Sequence, residues 1–366
     1  MLFVLTADLH ISTAEKDYSL AVLDEIIGIC RRESCGALLL AGDIFDSWAD
    51  VEALRGAFRE AAEKLPPGCG VFFLPGNHEE LRAGPGGPEA LSRFDFGRAR
   101  LLSQKPFSLE TLDDRTELLA VPFQRDYSSY RSWKVPPKGK ALRILLAHGT
   151  VPGLAYTGPD EEDPAGVLDA DLFACLRADL VALGHLHGGF QTRLGDTLVA
   201  YPGSARVWRE GEGGKRRVLL GETGSSPITL REIPLERAGE YRVVPVCAAP
   251  DGSLRLPPEA QDRGPAGFAP ADWLSLEVSG LVEDERTLRE ALDRLRSGLE
   301  EKHRRVTVNT EKLSVLAGLS SHPLALQFIK KWEEEAARFG DEDPELYNLA
   351  RIRGLGVIKE ILESRK

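Results

Sequence analysis

The chain has 366 residues, with 57 acidic and 46 basic side chains and a formal net charge of −11. A hydrophobic content of 42% excludes a mainly disordered chain, and no apolar run approaches the ~20 residues of a membrane-spanning helix, so no membrane contact is expected. The acidic balance does not suggest a protein that coats nucleic acid by bulk charge, so any grip on nucleic acid needs a local patch, metal ions or a partner.

Residues 2–7 begin the chain as an apolar first strand; without a basic leader they do not read as a signal peptide. Further short apolar runs follow at 37–41, 71–74, 118–121, 142–147, 180–183, 198–201, 218–220 and 228–233. Several are continuous rather than alternating, as in strands buried on both faces. Helical patterns occupy 18–32 and about 51–64, the second stopping before Pro66 and Pro67. Strand, helix, strand in this order predicts a layered α/β domain over residues 1–235.

Residues 248–272 carry five prolines and three glycines and read as a long loop. A strand at 273–278, a helix with Leu288, Ala291, Leu292, Leu295 and Leu299 on one face, and a strand at 305–309 make a small βαβ-like unit. Ser321 and Pro323 open a tail helix with a stripe of Leu326, Phe328 or Ile329, Trp332, Ala336 and Phe339. A second helix from about Glu345 carries Leu346, Leu349, Ile352, Leu355, Ile358 and Leu362. Gly354 and Gly356 weaken its middle. Periodicity alone leaves two readings of this pair: packing on the parent protein, or docking a partner through Phe328, Trp332, Leu349 and Ile358. The five cysteines are odd in number and include no Cys-x-x-Cys pair, which fits a reducing compartment, a cytoplasm.

Five of the seven histidines fall directly after expected strands, beside Asp and Asn. The groups are Asp8-Leu9-His10, Gly42-Asp43-Ile44-Phe45-Asp46, Gly76-Asn77-His78-Glu79, His148-Gly149 and Gly184-His185-Leu186-His187. The C-terminal ends of strands are where ligand sites gather in layered α/β folds. Imidazole and carboxylate together suit Mn, Fe or Zn. A carboxylate can bridge two cations, and such a pair neutralises a phosphodiester and acidifies a bound water.

These five blocks resemble, in order, the pattern of the calcineurin-like metallophosphoesterases over about residues 1–235. The resemblance implies a layered αββα metallophosphoesterase sandwich at 1–235, a small α+β capping domain at 236–318 and a helical tail at 319–366. It implies two divalent ions, Mn first, with Fe, Zn or Mg as alternatives. Asp8, His10 and His187 would hold one metal, and Asn77, His148 and His185 the other, with Asp43 bridging. His78 would be the catalytic group that protonates the leaving oxygen, and Asp46 would orient His78 or cap the next turn.

Ala41-Gly42-Asp43-Ile44-Phe45-Asp46 and Tyr201-Pro202-Gly203-Ser204 are similar to segments of the nuclease subunits of SbcC–SbcD-type DNA repair exonucleases. That similarity implies an Mn-dependent DNA exonuclease and endonuclease. It also implies a homodimer and a tail that docks on an SMC-like coiled-coil ATPase of the SbcC type. Three places depart from that branch: Ile11-Ser12, Glu79, and Ser47-Trp48-Ala49-Asp50. Two alternatives stand beside the nuclease: a small-molecule phosphodiesterase or phosphatase, and a scaffolding subunit with a structural metal site. Lys215, Arg216, Arg217, Arg98 and Arg100 read as solvated charges or as phosphate contacts.

Overall fold

In the computed structural model, strands β1 (Leu2–Thr6) and β2 (Ala37–Ala41) are apolar along their length because both faces are covered. Val4, Leu38 and Leu40 turn to one side, towards helices α1 (Lys16–Arg32) and α2 (Trp48–Glu63). Phe3, Leu5, Ala37 and Leu39 turn to the other, towards a second sheet. The structure describes residues 1–81, 91–140, 142–154, 166–224, 227–249, 251–256, 269–282, 285–315, 322–339 and 344–364. The chain divides into two compact units, Met1–Glu240 and Tyr241–Lys366.

In the first unit, β3 (Gly70–Leu74) leads into the short helix α3 (Asn77–Leu81). Strands β4 (Ala99–Leu101), β5 (Ser108–Thr111), β6 (Thr116–Val121) and β7 (Leu142–His148) precede helix α4 (Ala170–Cys175). Then come β8 (Leu180–Gly184), β9 (Phe190–Leu194), β10 (Thr197–Tyr201), β11 (Arg217–Glu222) and β12 (Leu230–Pro234). One sheet has the order β12-β11-β1-β2-β3-β4 and the other β5-β6-β7-β8-β10-β9. Strands β1 to β4 run parallel, as do β6, β7, β8 and β10. The inner faces of the two sheets share one core, and helices cover each outer face, giving four layers. Val22, Leu23, Ile26 and Cys30 are the buried stripe of α1. Ser47 caps α2 by accepting from the Asp50 N–H at 3.2 Å.

The buried strands fall within a residue or two of the expected runs. The edge strands β4, β5 and β9 were not expected. They are partly exposed and carry polar residues such as Arg100, Glu110 and Gln191, so they lack the continuous apolar run of an interior strand.

The second unit holds a four-stranded sheet, β14-β13-β15-β16, of β13 (Tyr241–Ala248), β14 (Leu254–Arg255), β15 (Trp273–Val282) and β16 (Arg305–Val315). β15 and β16 are parallel and joined by α5 (Glu285–Glu300), the expected βαβ unit. β14 lies inside the stretch expected to be loop. Helices α6 (Pro323–Phe339) and α7 (Pro344–Glu363) pack on each other around Ala325 and Leu355, with Phe328, Ile329, Ile358 and Leu362 against them. Gly354 has a structural reason: a Cβ there would strike the Phe328 ring. The expected stripe is corrected at Leu326, which is 51% exposed while Ala325 is buried. Phe328 and Ile358, expected as docking anchors, face the partner helix of their own pair. Among the described residues, the exposed large apolar side chains here are Leu324, Leu326, Val357 and Ile361. Ser321 lies outside the described residues, as do the side chains of Ala336, Phe339, Leu346, Leu349 and Ile352.

Candidate metal centre

The loops that leave β1, β2, β3 and β8, together with the last residue of β7, meet at one end of the paired sheets. Sharp backbone turns make this possible. Asp8, His10, Asp43 and His185 all have left-handed φ, at 52°, 43°, 51° and 97°, a strained state for residues with a Cβ. Loop-to-loop hydrogen bonds hold these turns: Asp8 N to Gly42 O at 3.0 Å, His10 N to Asp43 O at 3.0 Å and Ile11 N to Ile44 O at 2.8 Å. Gly42, at φ 94°, and Gly184 sit so close to the His148 ring that a Cβ at either would strike it. A Cβ at Gly76 would strike the Asp43 carboxylate.

The site residues expected from sequence all come together here. Asp8, His10 and His187 form one cluster with donor atoms within 4.8 Å of one another; Asp43, His148 and His185 form a second, and His10, Asp46 and His78 a third. Asn77 completes the second, its amide oxygen 2.8 Å from His148 Nε2 and 3.0 Å from His185 Nδ1. His185 donates its backbone N–H to both Asp8 carboxylate oxygens at 3.1 Å. Apart from half-buried Asn77 and Asp46, these side chains are buried.

Hydrogen-bond partners assign the tautomers. His148 donates Nδ1–H to the Ala41 carbonyl at 2.7 Å, so its Nε2 is the nitrogen that faces the cluster. That Nε2 lies 3.4 Å from Asp43 Oδ2. His187 bonds through Nδ1 to Glu212 Oε1, and His10 Nδ1 lies 3.3 Å from Asp46 Oδ1. The Nε2 atoms of His10 and His187 then face each other at 3.3 Å. Buried imidazole, carboxylate and amide groups converging in this way make a donor set that fits divalent metal ions of the Mn, Fe or Zn type.

Ionisation follows the same logic. Burial opposes charge on His148, yet the Asp43 carboxylate raises it to about 9. Burial works against Asp43 as well, but His148 and its hydrogen bond hold the carboxyl well below its ordinary range. Burial lifts Asp8 to about 6 and, with His78 nearby, pushes His10 well below the usual imidazole value. His187 is raised against its burial by the Glu212 carboxylate.

His78 sits at the rim of this cluster. Its backbone N–H donates to Asp43 Oδ1 at 2.8 Å, and its Nδ1–H to the Asp46 backbone carbonyl at 2.7 Å. The Asp46 carboxylate lies 3.6 Å from that Nδ1 and 3.3 Å from His10 Nδ1, between the two rings.

The family model described as calcineurin-like phosphoesterase matches residues 1–189, which include every expected site residue. The chain belongs to the calcineurin-like phosphoesterase family. It is 25% identical over 198 residues to the DNA double-strand break repair protein Mre11 of Thermoplasma acidophilum, covering 51% of this chain. The chain thus spans about half the length, 50%, of the curated relative it matches. A dimetal phosphatase from Danio rerio is similar at 12% identity, covering 64% of this chain and 99% of its own, with a TM-score of 0.40. An archaeal phosphodiesterase is similar at 15% identity, covering 64% and 100%, with a TM-score of 0.35.

Several residues that shape this phosphoesterase site were not expected from sequence. Glu79, read only as a departure, has its carboxylate buried under the Asp43 turn. Its Oε1 accepts from Ile44 N and Phe45 N at 2.6 and 2.9 Å, and its Oε2 from Gly76 N and Asp43 N at 2.9 and 3.1 Å. Burial and the Asp43 charge push Glu79 up to about 8. With four N–H donors, however, neither oxygen can hold a proton without giving up a bond. Glu212, Trp208 and Arg206 lie beyond the last block and carry no recognisable spacing to it. Four of the five basic residues considered as phosphate contacts serve the fold, and the fifth, Lys215, is exposed. Arg216 is buried beside Glu212, Arg217 pairs with Glu232, Arg100 pairs with Glu110, and Arg98 caps the carbonyls of Leu65, Pro66 and Cys69.

Proposed function

We propose that this chain is a metal-dependent phosphodiesterase, specifically the DNA nuclease subunit, exonuclease and endonuclease, of a DNA repair assembly that works with an SMC-like ATPase. The reading rests on one observation above all: buried imidazole and carboxylate groups, with the Asn77 amide oxygen, converge in clusters whose potential ligand atoms lie close together, a donor set that suits divalent cations. Asp8, His10 and His187 would hold one cation, Asn77, His148 and His185 the other, and Asp43 would bridge. Bound divalent cations, Mn first, supply the charge that neutralises phosphoryl oxygens and makes water acidic.

The chain's own groups do the rest. Asp8 and Asp43 provide the negative charge that retains the cations. The Asp46 carbonyl takes His78 Nδ1–H, so Nε2 is the atom that carries or releases a proton at the leaving oxygen. The DNA substrate is supported by the similarity to a DNA double-strand break repair protein, and the dimer and the ATPase partner by the resemblance of segments 41–46 and 201–204 to nuclease subunits of the SbcC–SbcD type. On this reading 1–235 is catalytic, 236–318 a cap, and 319–366 a docking tail.

The test is hydrolysis of linear duplex DNA and of a simple phosphodiester with Mn²⁺, with and without chelator. His78→Ala should keep its metals and lose turnover by ~10²–10⁴-fold. Turnover of the simple ester with no cutting of duplex DNA, alone or with the ATPase, would overturn the nuclease reading and leave a small-molecule phosphodiesterase.

A further inference from the structure

We propose that residues 204–216 form a strap dedicated to one of the two cation sites, with Glu212 and Trp208 as positioning residues for His187 and His10. The inference rests on the metal-centre reading above and goes beyond it, because neither residue is a candidate ligand.

The strap begins where β10 ends. Ser204 forms a β-bridge with Ala7, donates its N–H to the His187 carbonyl at 3.1 Å, and is followed by Ala205 N to Ala7 O at 3.2 Å. Arg206, buried, donates to the Leu9 and His10 carbonyls at 2.7 and 2.6 Å. The loop that carries Asp8 and His10 is therefore pinned from behind. The Trp208 indole then stacks on the His10 imidazole, with centroids 4.0 Å apart and planes 6° apart. Two glycines with left-handed φ, Gly211 at 88° and Gly214 at 85°, turn the chain back.

That return brings the buried Glu212 carboxylate onto His187. Oε1 takes the Nδ1 side of the ring, and Oε2 accepts from the Trp208 N–H at 2.9 Å. Arg216 ties the strap shut through Ser204 Oγ at 2.9 Å and the Gly213 carbonyl at 3.1 Å. Both imidazoles of the Asp8, His10, His187 cluster are thus oriented by one continuous segment. His148 of the other cluster is oriented by a different part of the fold, the Ala41 carbonyl.

A carboxylate on Nδ1 fixes the tautomer and makes Nε2 a stronger donor, and losing such a partner typically costs ~10–100-fold in metal affinity. The strap makes the two sites unequal: damage to it should weaken one cation and spare the other.

The experiment is calorimetric titration of the full chain with Mn²⁺, paired with nitrogen-15 spectra of histidine side chains in the Zn²⁺-loaded protein. Wild type should bind two ions. Glu212→Ala should weaken one by ~10–100-fold and leave the other unchanged, and the Nδ1 proton resonance of His187 should move or vanish. Glu212→Gln keeps an acceptor oxygen and should recover most of the affinity, and Trp208→Phe should do so relative to Trp208→Ala. Two ions bound with unchanged affinities in Glu212→Gln and Glu212→Ala would overturn the strap while leaving the metal centre intact. Equal weakening of both ions would also overturn it. Wild type that binds no ion would overturn the metal centre and the strap together.

Discussion

Glu79→Gln is the sharpest probe of how the site is built. The substitution keeps size and shape but replaces one acceptor oxygen with an NH2 group. In the native protein each carboxylate oxygen takes two backbone N–H groups: Ile44 and Phe45 on Oε1, Asp43 and Gly76 on Oε2. Whichever way the new amide points, two buried N–H donors face another donor. Each buried donor left without an acceptor costs ~1–3 kcal/mol, so the total is roughly 2–6 kcal/mol. In a unit of this size each kcal/mol lowers Tm by ~2–4 °C, which gives a fall of ~4–24 °C. An exposed control, Glu60→Gln, should stay within ~0.5 kcal/mol of wild type. Chemical and thermal denaturation read the global change, and hydrogen exchange reads the local one at the amides of Asp43, Ile44 and Phe45. The reasoning fails if those three amides keep their protection and the stability of Glu79→Gln matches that of Glu60→Gln.

Asp43→Ala should leave fewer than two Mn²⁺ per chain by elemental analysis, because Asp43 is the proposed bridge between the two cations; retention of two tight ions would remove it from that role. Arg206→Lys should destabilise by about 2–4 kcal/mol in urea, because one ammonium cannot replace a guanidinium that reaches Leu9 O, His10 O and the Glu15 carboxylate together. In the tail, Phe328→Ala should lower stability by ~1–3 kcal/mol, because that ring packs against Gly354 and the buried pair Ala325 and Leu355. Leu326→Ala, at an exposed position, should change stability by less than ~0.5 kcal/mol; the reverse order would mean that Leu326 is the buried residue.

The sequence by itself determined the interior strands and the residues that gather at their ends. Strands such as 37–41 and 180–184 are buried on both faces and must be apolar at every position, so they stand out as short continuous runs. The polar residues that follow each run then have one place to go, the end of the sheet. Edge strands such as β5 escaped notice because only one side of each is paired and their composition is that of a loop. The face of α6 was misjudged by one residue because amphipathic spacing tolerates Ala325 or Leu326, and only the crossing of α7 at Gly354 decides which points inward. Tertiary structure alone decided the partners of the site residues. Glu79 follows His78 directly, but its task depends on the left-handed turn at Asp43, more than thirty residues earlier in the chain. Glu212 reaches His187 from 25 residues away through a glycine-rich return whose shape no periodicity encodes. A buried charge is chosen by the cost of leaving it unpaired, and that cost arises only once the chain has closed around it.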